Sequence, residues 1–125
     1  MKEILYNRQK VLEYAQKWAY DRNPKYNKSP SWSGVEFLYN FLTKNKMSGP
    51  YGKEVSQDEI KIGDIAQLSF DGNTFGHTLV IVKIENKFDI NQIFISSHTF
   101  DSFNKRISEY NFEKIRFVHI EKVRK

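Results

Sequence analysis

His77 is the residue of this 125-residue chain whose sequence surroundings most favour chemistry. It follows Gly76 and opens the run 78–82, which is almost entirely apolar and β-branched and predicts a buried strand. A histidine held at the head of such a strand can act as a general base, because its pKa is near neutral pH. The residues leave one alternative open, a strand-end histidine that only hydrogen-bonds a backbone carbonyl.

Two further side chains could orient His77. His98 ends the next predicted strand, and on paired neighbouring strands the two imidazoles would lie within reach of each other. Asp101 follows three residues later and competes for the same role. Turn formation is the other explanation for both, because the sequence after His98 predicts a loop. His119 lies in an alternating strand pattern, and we interpret it as structural.

A nucleophile for His77 to activate is missing, because the chain contains no cysteine. Ser31 and Ser33 lie at the start of a predicted helix, where developing negative charge is favoured. Helix capping explains a serine there without any chemistry. The histidines lack the spacing of common zinc sites and no glycine-rich phosphate loop is present, so we predict no metal and no cofactor.

Length and composition predict a single globular domain over residues 1–125. Hydrophobic residues make up 39%, which is too apolar for disorder, and no run is long enough to cross a bilayer. The net charge of +5 would suit a polyanion, but the basic residues are scattered and lack interleaved aromatic rings. We therefore expect neither a nucleic-acid nor a membrane partner. The absence of an apolar segment of signal-peptide length predicts a cytoplasmic protein.

Two predicted helices precede the strands. Asn7 caps the first, whose apolar positions recur at helical spacing until Asn23-Pro24 ends it. The second begins near Ser33, with Glu36 completing a capping box. Its predicted apolar stripe consists of Phe37, Leu38, Phe41 and Leu42.

Beyond the turn-forming segment 48–52 the pattern becomes typical of strands. The predicted strands are Ile65–Phe70, His77–Ile84, Gln92–Ser96 and Ile115–Ile120. The turn signal Asp71-Gly72-Asn73 predicts a hairpin between the first two. Helices followed by an antiparallel sheet indicate the α+β class.

Several short motifs together resemble the putative amidase domain family of bacteria, a papain-like group related to cell-wall hydrolases. In chain order they are Tyr6-Asn7-Arg8, Asn23-Pro24-Lys25-Tyr26, Ser29-Pro30-Ser31-Trp32, Gly63-Asp64-Ile65, Gly76-His77-Thr78 and His98-Thr99-Phe100-Asp101. The resemblance implies a papain-like fold, with helices packed on an antiparallel β-sheet, and a hydrolase that acts on a peptide or amide substrate. It also implies that His77 is the base and His98 the third member of the site, with Asp101 ranked below His98.

The family motif that carries the nucleophilic cysteine is missing between Tyr26 and Ser29. The family has the pattern Gly-Gly-Asp-Cys-Thr-Asn-Phe there, at the start of a central helix. This difference predicts an internal deletion or an incomplete sequence, and an amidase-like domain that is inactive in this form. The alternative is a non-catalytic module that binds peptide or cell-wall fragments. Without the central helix the apolar face of the sheet should lack cover, which predicts a homo-oligomer, or else an aggregation-prone or partly molten chain. That face consists of Leu79, Ile81, Ile93 and Ile95.

Overall fold

An antiparallel sheet dominates the protein. The computed structural model describes residues 2–10, 32–97 and 102–125, and the sheet within these ranges has seven strands. They are β1 (Glu3–Leu5), β2 (Gly49–Val55), β3 (Ile65–Ser69), β4 (His77–Ile84), β5 (Ile93–Ser97), β6 (Ser102–Arg106) and β7 (Lys114–Arg124). The helix α1 spans Trp32–Lys44, and short 3-10 helices lie at Gln57–Glu59, Ile90–Gln92 and Ile107–Glu109.

Strand β7 is the longest strand described and pairs with three others. It pairs with β2 along one edge, and with β3 and then β1 along the other. From β3 the sheet continues through β4 and β5 to β6, each strand antiparallel to its neighbour. The predicted hairpin between β3 and β4 is confirmed, and its register sets Leu68 opposite His77.

One face of the sheet encloses the larger apolar core. Residues from both ends of the sheet, Val55 of β2 and Ile107 just after β6, belong to the same cluster, so the sheet is strongly curved. The expectation of an uncovered face is wrong, because four side chains named for it are 0% exposed. These are Leu79, Ile81, Ile93 and Ile95. Our reason for expecting self-association does not hold at these positions, and the homo-oligomer stays a prediction.

Helix α1 covers the opposite face of the sheet. Leu42 packs there with Ile65 and Val118 in a second cluster, and Val35 is buried beside them. The predicted stripe is wrong at Phe37, which is 71% exposed and stacks on Phe41 at a centroid distance of 6.4 Å. The helix is rotated so that its outer side keeps an aromatic pair in contact with water.

The predicted fold class is wrong. We expected an α+β, papain-like arrangement of helices on an antiparallel sheet, but the described residues are mostly antiparallel sheet with α1 as the longest helix. Curvature of the sheet and the loops of its own strands supply the cover that helices were expected to give. In the described ranges no helix is long and apolar enough to cross a membrane.

The first predicted helix is described only at its start. Residues 8–10 are helical, and Asn7 Oδ1 accepts the backbone N–H of Lys10 at 3.0 Å, which confirms the predicted cap. The apolar positions from Val11 onward and the predicted end at Asn23-Pro24 lie outside the described residues.

Candidate active site around His77

His77 is the first residue of β4 and lies on the face of the sheet opposite α1. Its neighbour Thr78 accepts a hydrogen bond from Gln67, and the same Gln67 amide donates to the carbonyl of Val35 in α1. Thr78 therefore faces the helix. Successive side chains of a strand point to opposite faces, so His77 shares its face with Leu79.

An open pocket of about 340 Å³ lies beside the His77 ring. The lining consists of Phe70, Asp71, Thr74, Gly76 and His77. Phe70 meets the imidazole edge to face, with ring centroids 5.0 Å apart and an interplanar angle of 70°. The hairpin that joins β3 to β4 thus carries both His77 and the residues that line the pocket beside it.

Both ionisable groups of the pocket have a lowered pKa, which favours the neutral form of His77 and the charged form of Asp71. Burial lowers the pKa of His77 below its ordinary value of 6.5, because desolvation disfavours the imidazolium. Backbone N–H groups of Thr74 and Asn73, each 2.8 Å away, lower the pKa of Asp71, and the Ser69 hydroxyl adds to this effect. At neutral pH the pocket therefore presents a neutral imidazole together with a carboxylate.

We expect His77 to titrate below pH 6.5 in the folded protein. The unfolded state then binds a proton more readily than the native state, so the free energy of unfolding falls as the pH decreases from 6.5 through the lower pKa of the folded state. A histidine-selective NMR titration measures the midpoint, and a His77→Gln variant assigns the signal. A midpoint at or above 6.5 would contradict the desolvated setting.

The predicted partners of His77 cannot be compared with the structure. His98 and Asp101 lie outside the described residues, as do Ser31 and the side chain of Ser33. Helix α1 does begin at Trp32, one residue from the predicted start.

A second polar centre surrounds Asp64, whose side chain is fully buried. Arg8 Nη1 donates to its Oδ1 at 2.7 Å, and His119 Nδ1 lies 2.8 Å from its Oδ2. The backbone N–H groups of Ile120 and Lys61 also donate to the carboxylate, at 3.0 and 2.8 Å. The structural interpretation of His119 agrees with this contact, because the ring is held by a buried carboxylate.

Tyr6 closes this centre. Its hydroxyl donates to the carbonyl of Gly63 at 2.8 Å, and the Arg8 guanidinium lies over its ring at 5.1 Å. Burial raises the pKa of Tyr6 to about 12, so the hydroxyl stays a donor at physiological pH.

Comparison with protein families matches residues 27–120 to the model of the putative amidase domain. The chain belongs to this putative amidase domain family. Searches of curated proteins and of solved structures gave no match. The family assignment covers His77 and its pocket, so the base suggested by the sequence lies within the amidase domain itself.

The match to the amidase family begins after the N-terminal motif Tyr6-Asn7-Arg8. The side chains of that motif nevertheless pack on Gly63-Asp64, inside the matched range. The N-terminal segment is therefore tied to the amidase domain by contacts, although the family model does not include it.

Sequence reasoning missed several residues around the candidate site. The sequence places Phe70 at the end of a strand and Asp71 in a turn, and only the hairpin register brings them to His77. Arg116 carried no signal at all, because its partners Gln67 and Glu36 are 49 and 80 positions away. Among residues 2–10, 32–97 and 102–125, no three His, Asp or Glu side chains gather as a metal site would require.

Proposed function

We propose that this chain is an amidase-type domain that retains its histidine base and is unable to hydrolyse amides in its present form. The observation that carries the proposal is the position of His77, at the head of β4 beside an open pocket, in a chain without cysteine. Membership of the amidase family supplies the reaction class.

The missing step is the formation of the nucleophile. In a cysteine amidase the thiol gives its proton to histidine, and the sulfur attacks the amide carbon. The C–N bond breaks as histidine returns the proton to the leaving amine, and water then hydrolyses the thioester. His77 is neutral at pH 7 and can accept a proton, because desolvation lowers its pKa. With no thiol in the chain, this acceptor has no nucleophile to generate.

Binding of an amide without cleavage is the second candidate function. The pocket beside His77 supports it, because Phe70 is 40% exposed and offers an aromatic surface next to the Asp71 carboxylate. Such a pocket suits a peptide or cell-wall fragment that combines an apolar group with hydrogen-bond donors. NMR shifts of the Phe70 and Thr74 amides on addition of muropeptides would test it, with Asp58 and Lys87, on a separate surface pocket, as internal controls.

We expect no turnover of muropeptides or simple amides by the purified protein above the rate in buffer. The reason is that removal of the nucleophile from a catalytic set leaves only a small residue of its rate. Product release is measured by mass spectrometry for the native chain and for His77→Ala.

Activity that disappears in His77→Ala would overturn this proposal. Ser31→Ala and Ser33→Ala would then identify a substitute nucleophile. Activity that survives in His77→Ala would indicate a contaminating hydrolase. Comparison of tagged and untagged preparations would then show whether the activity follows the protein or the contaminant.

A further inference from the structure

Arg116 of β7 lies between two aromatic rings under α1. Its guanidinium carbon is 3.7 Å from the ring centroid of Tyr39 and 4.1 Å from that of Phe75. Its Nε donates to Gln67 Oε1 at 2.8 Å, and its Nη2 donates to Glu36 Oε1 at 2.9 Å. The side chain is only 12% exposed, so these contacts are made largely out of water. Cation–π contacts of this kind strengthen with desolvation.

Gln67 connects Arg116 to β4 through hydrogen bonds of its side-chain amide. Its side chain is fully buried, and its Nε2 donates to the carbonyl of Val35 and to Thr78 Oγ1, both at 3.1 Å. Because Arg116 has only donors, it fixes Oε1 toward itself and Nε2 toward Thr78. A reversed amide would place donor against donor at Arg116 and oxygen against oxygen at the Val35 carbonyl.

Arg116 and Gln67 contact residues on both sides of His77 in the chain. Phe75, which stacks on Arg116, precedes His77 by two residues, and Thr78, which bonds Gln67, follows it directly. The imidazole itself points to the other face of the sheet, against Phe70. Fixing the backbone at 75 and 78 therefore restricts where the ring between them can point.

We propose that Arg116 is a positioning residue for His77, acting through Phe75 on one side and through Gln67 and Thr78 on the other. The inference rests on the proposed function, in which His77 is the base. Arginine suits the task better than lysine, because its planar fork can stack on two rings while it donates in fixed directions.

The test is the state of the His77 ring in Arg116→Lys, measured by NMR. The variant keeps the charge but loses the fork and the double stacking. We expect the nuclear Overhauser contacts between His77 and Phe70 to weaken by half or more. Water that reaches the loosened ring should raise the pKa of His77 toward its ordinary value, because the ring is then less desolvated. Asp71 is the charged residue that shares the pocket with His77, so the titration is followed in an Asp71→Asn background as well.

Arg8→Lys is the matched control. It changes the other arginine that bonds a buried side chain, at the Asp64 centre, and should lower the melting temperature without altering the His77 signals. Phe75→Leu is the second variant, because it removes one stacking contact and leaves Arg116 and its hydrogen bonds in place. We expect it to shift the His77 signals in the same direction as Arg116→Lys.

Native contacts and an unchanged pKa at His77 in a folded Arg116→Lys protein would overturn the inference. If that variant does not fold, the same result in Phe75→Leu would overturn it. Neither readout needs turnover or a bound ligand. Failure of the proposed function would appear as hydrolysis by the native chain, whereas failure of this inference would appear only in the His77 ring.

Discussion

Replacing Asp64 by alanine is expected to destabilise the fold by about 4 kcal/mol, because removing one partner of a buried ion pair leaves the other uncompensated. The Asp64 side chain is fully buried and accepts bonds from Arg8 and from the backbone N–H groups of Ile120 and Lys61. An alanine leaves the backbone N–H groups of Ile120 and Lys61 without this acceptor, and each buried donor left unsatisfied costs about 1–3 kcal/mol. A loss of about 4 kcal/mol is a large share of the stability of an ordinary domain, which is about 5–15 kcal/mol.

Urea denaturation followed by circular dichroism measures the effect. Lys53→Ala is the matched control, because it removes an exposed ion pair with Glu121 at 3.8 Å. Exposed pairs contribute about 0–1 kcal/mol, so the control should unfold close to the native midpoint. A midpoint for Asp64→Ala no lower than that of the control would show that the buried carboxylate does not hold the fold.

The same centre extends the folding unit beyond the family match. Arg8→Met should also be strongly destabilising, because the buried Asp64 carboxylate would then lose the guanidinium that is paired with it. Arg8 additionally donates to the carbonyls of Ile62, just before β3, and of Ile120 in β7. The motif Tyr6-Asn7-Arg8 is thus explained by contacts with Gly63-Asp64, at a sequence distance that composition and periodicity cannot detect.

The central strands were predictable from sequence because their apolar pattern is local. The predictions for β3, β4, β5 and β7 are confirmed, and β7 continues beyond Ile120 to Arg124. The extension is mostly charged and has no apolar strand pattern of its own. It is a strand because β1 and β2 pair with it on both sides, while Glu3 forms ion pairs with Lys122 and Arg124.

The strands that sequence analysis missed take their stability from their neighbours. Pro50 and two glycines made the start of β2 resemble a turn, but among the described strands β2 pairs with β7 alone, and proline is tolerated in such an edge position. Strand β6 is polar and also lies at the edge. These missing strands, together with the curvature of the sheet, explain why the α+β prediction was wrong.

The residues of the candidate site also differ in whether a local sequence signal predicts them. His77 could be found from its glycine and the apolar run that follows, which are signals within one strand. Asp71 could be placed in the pocket only with the hairpin register, and Arg116 only with the packing of α1 on the sheet. The sequence therefore predicts a residue such as His77, whose signal lies within one strand. It does not predict Arg116, whose contacts depend on several elements.

Gly52→Ala is expected to destabilise the fold by about 3 kcal/mol, at the upper end of the range for overpacking. Gly52 is buried in β2, at a shift of register against β7. A Cβ there would stand 2.0 Å from the carbonyl oxygen of His119 and 3.0 Å from the Cα of Ile120. Both neighbours are backbone, so no side chain can rotate away, and the two strands must separate.

Gly76→Ala is the control for this substitution, because a Cβ at Gly76 meets no atom within 4 Å. It should change the free energy of unfolding by less than about 0.5 kcal/mol. Urea denaturation compares the two variants, and hydrogen exchange at the β2 and β7 amides locates the damage. Gly52→Ala should lose protection from Gly52 to Val55, opposite 117–120, while the β3–β4 hairpin stays protected. Equal stability of the two variants would mean that β2 does not approach β7 as closely as this register requires. The pairing of β7 would then be limited to β3 and β1.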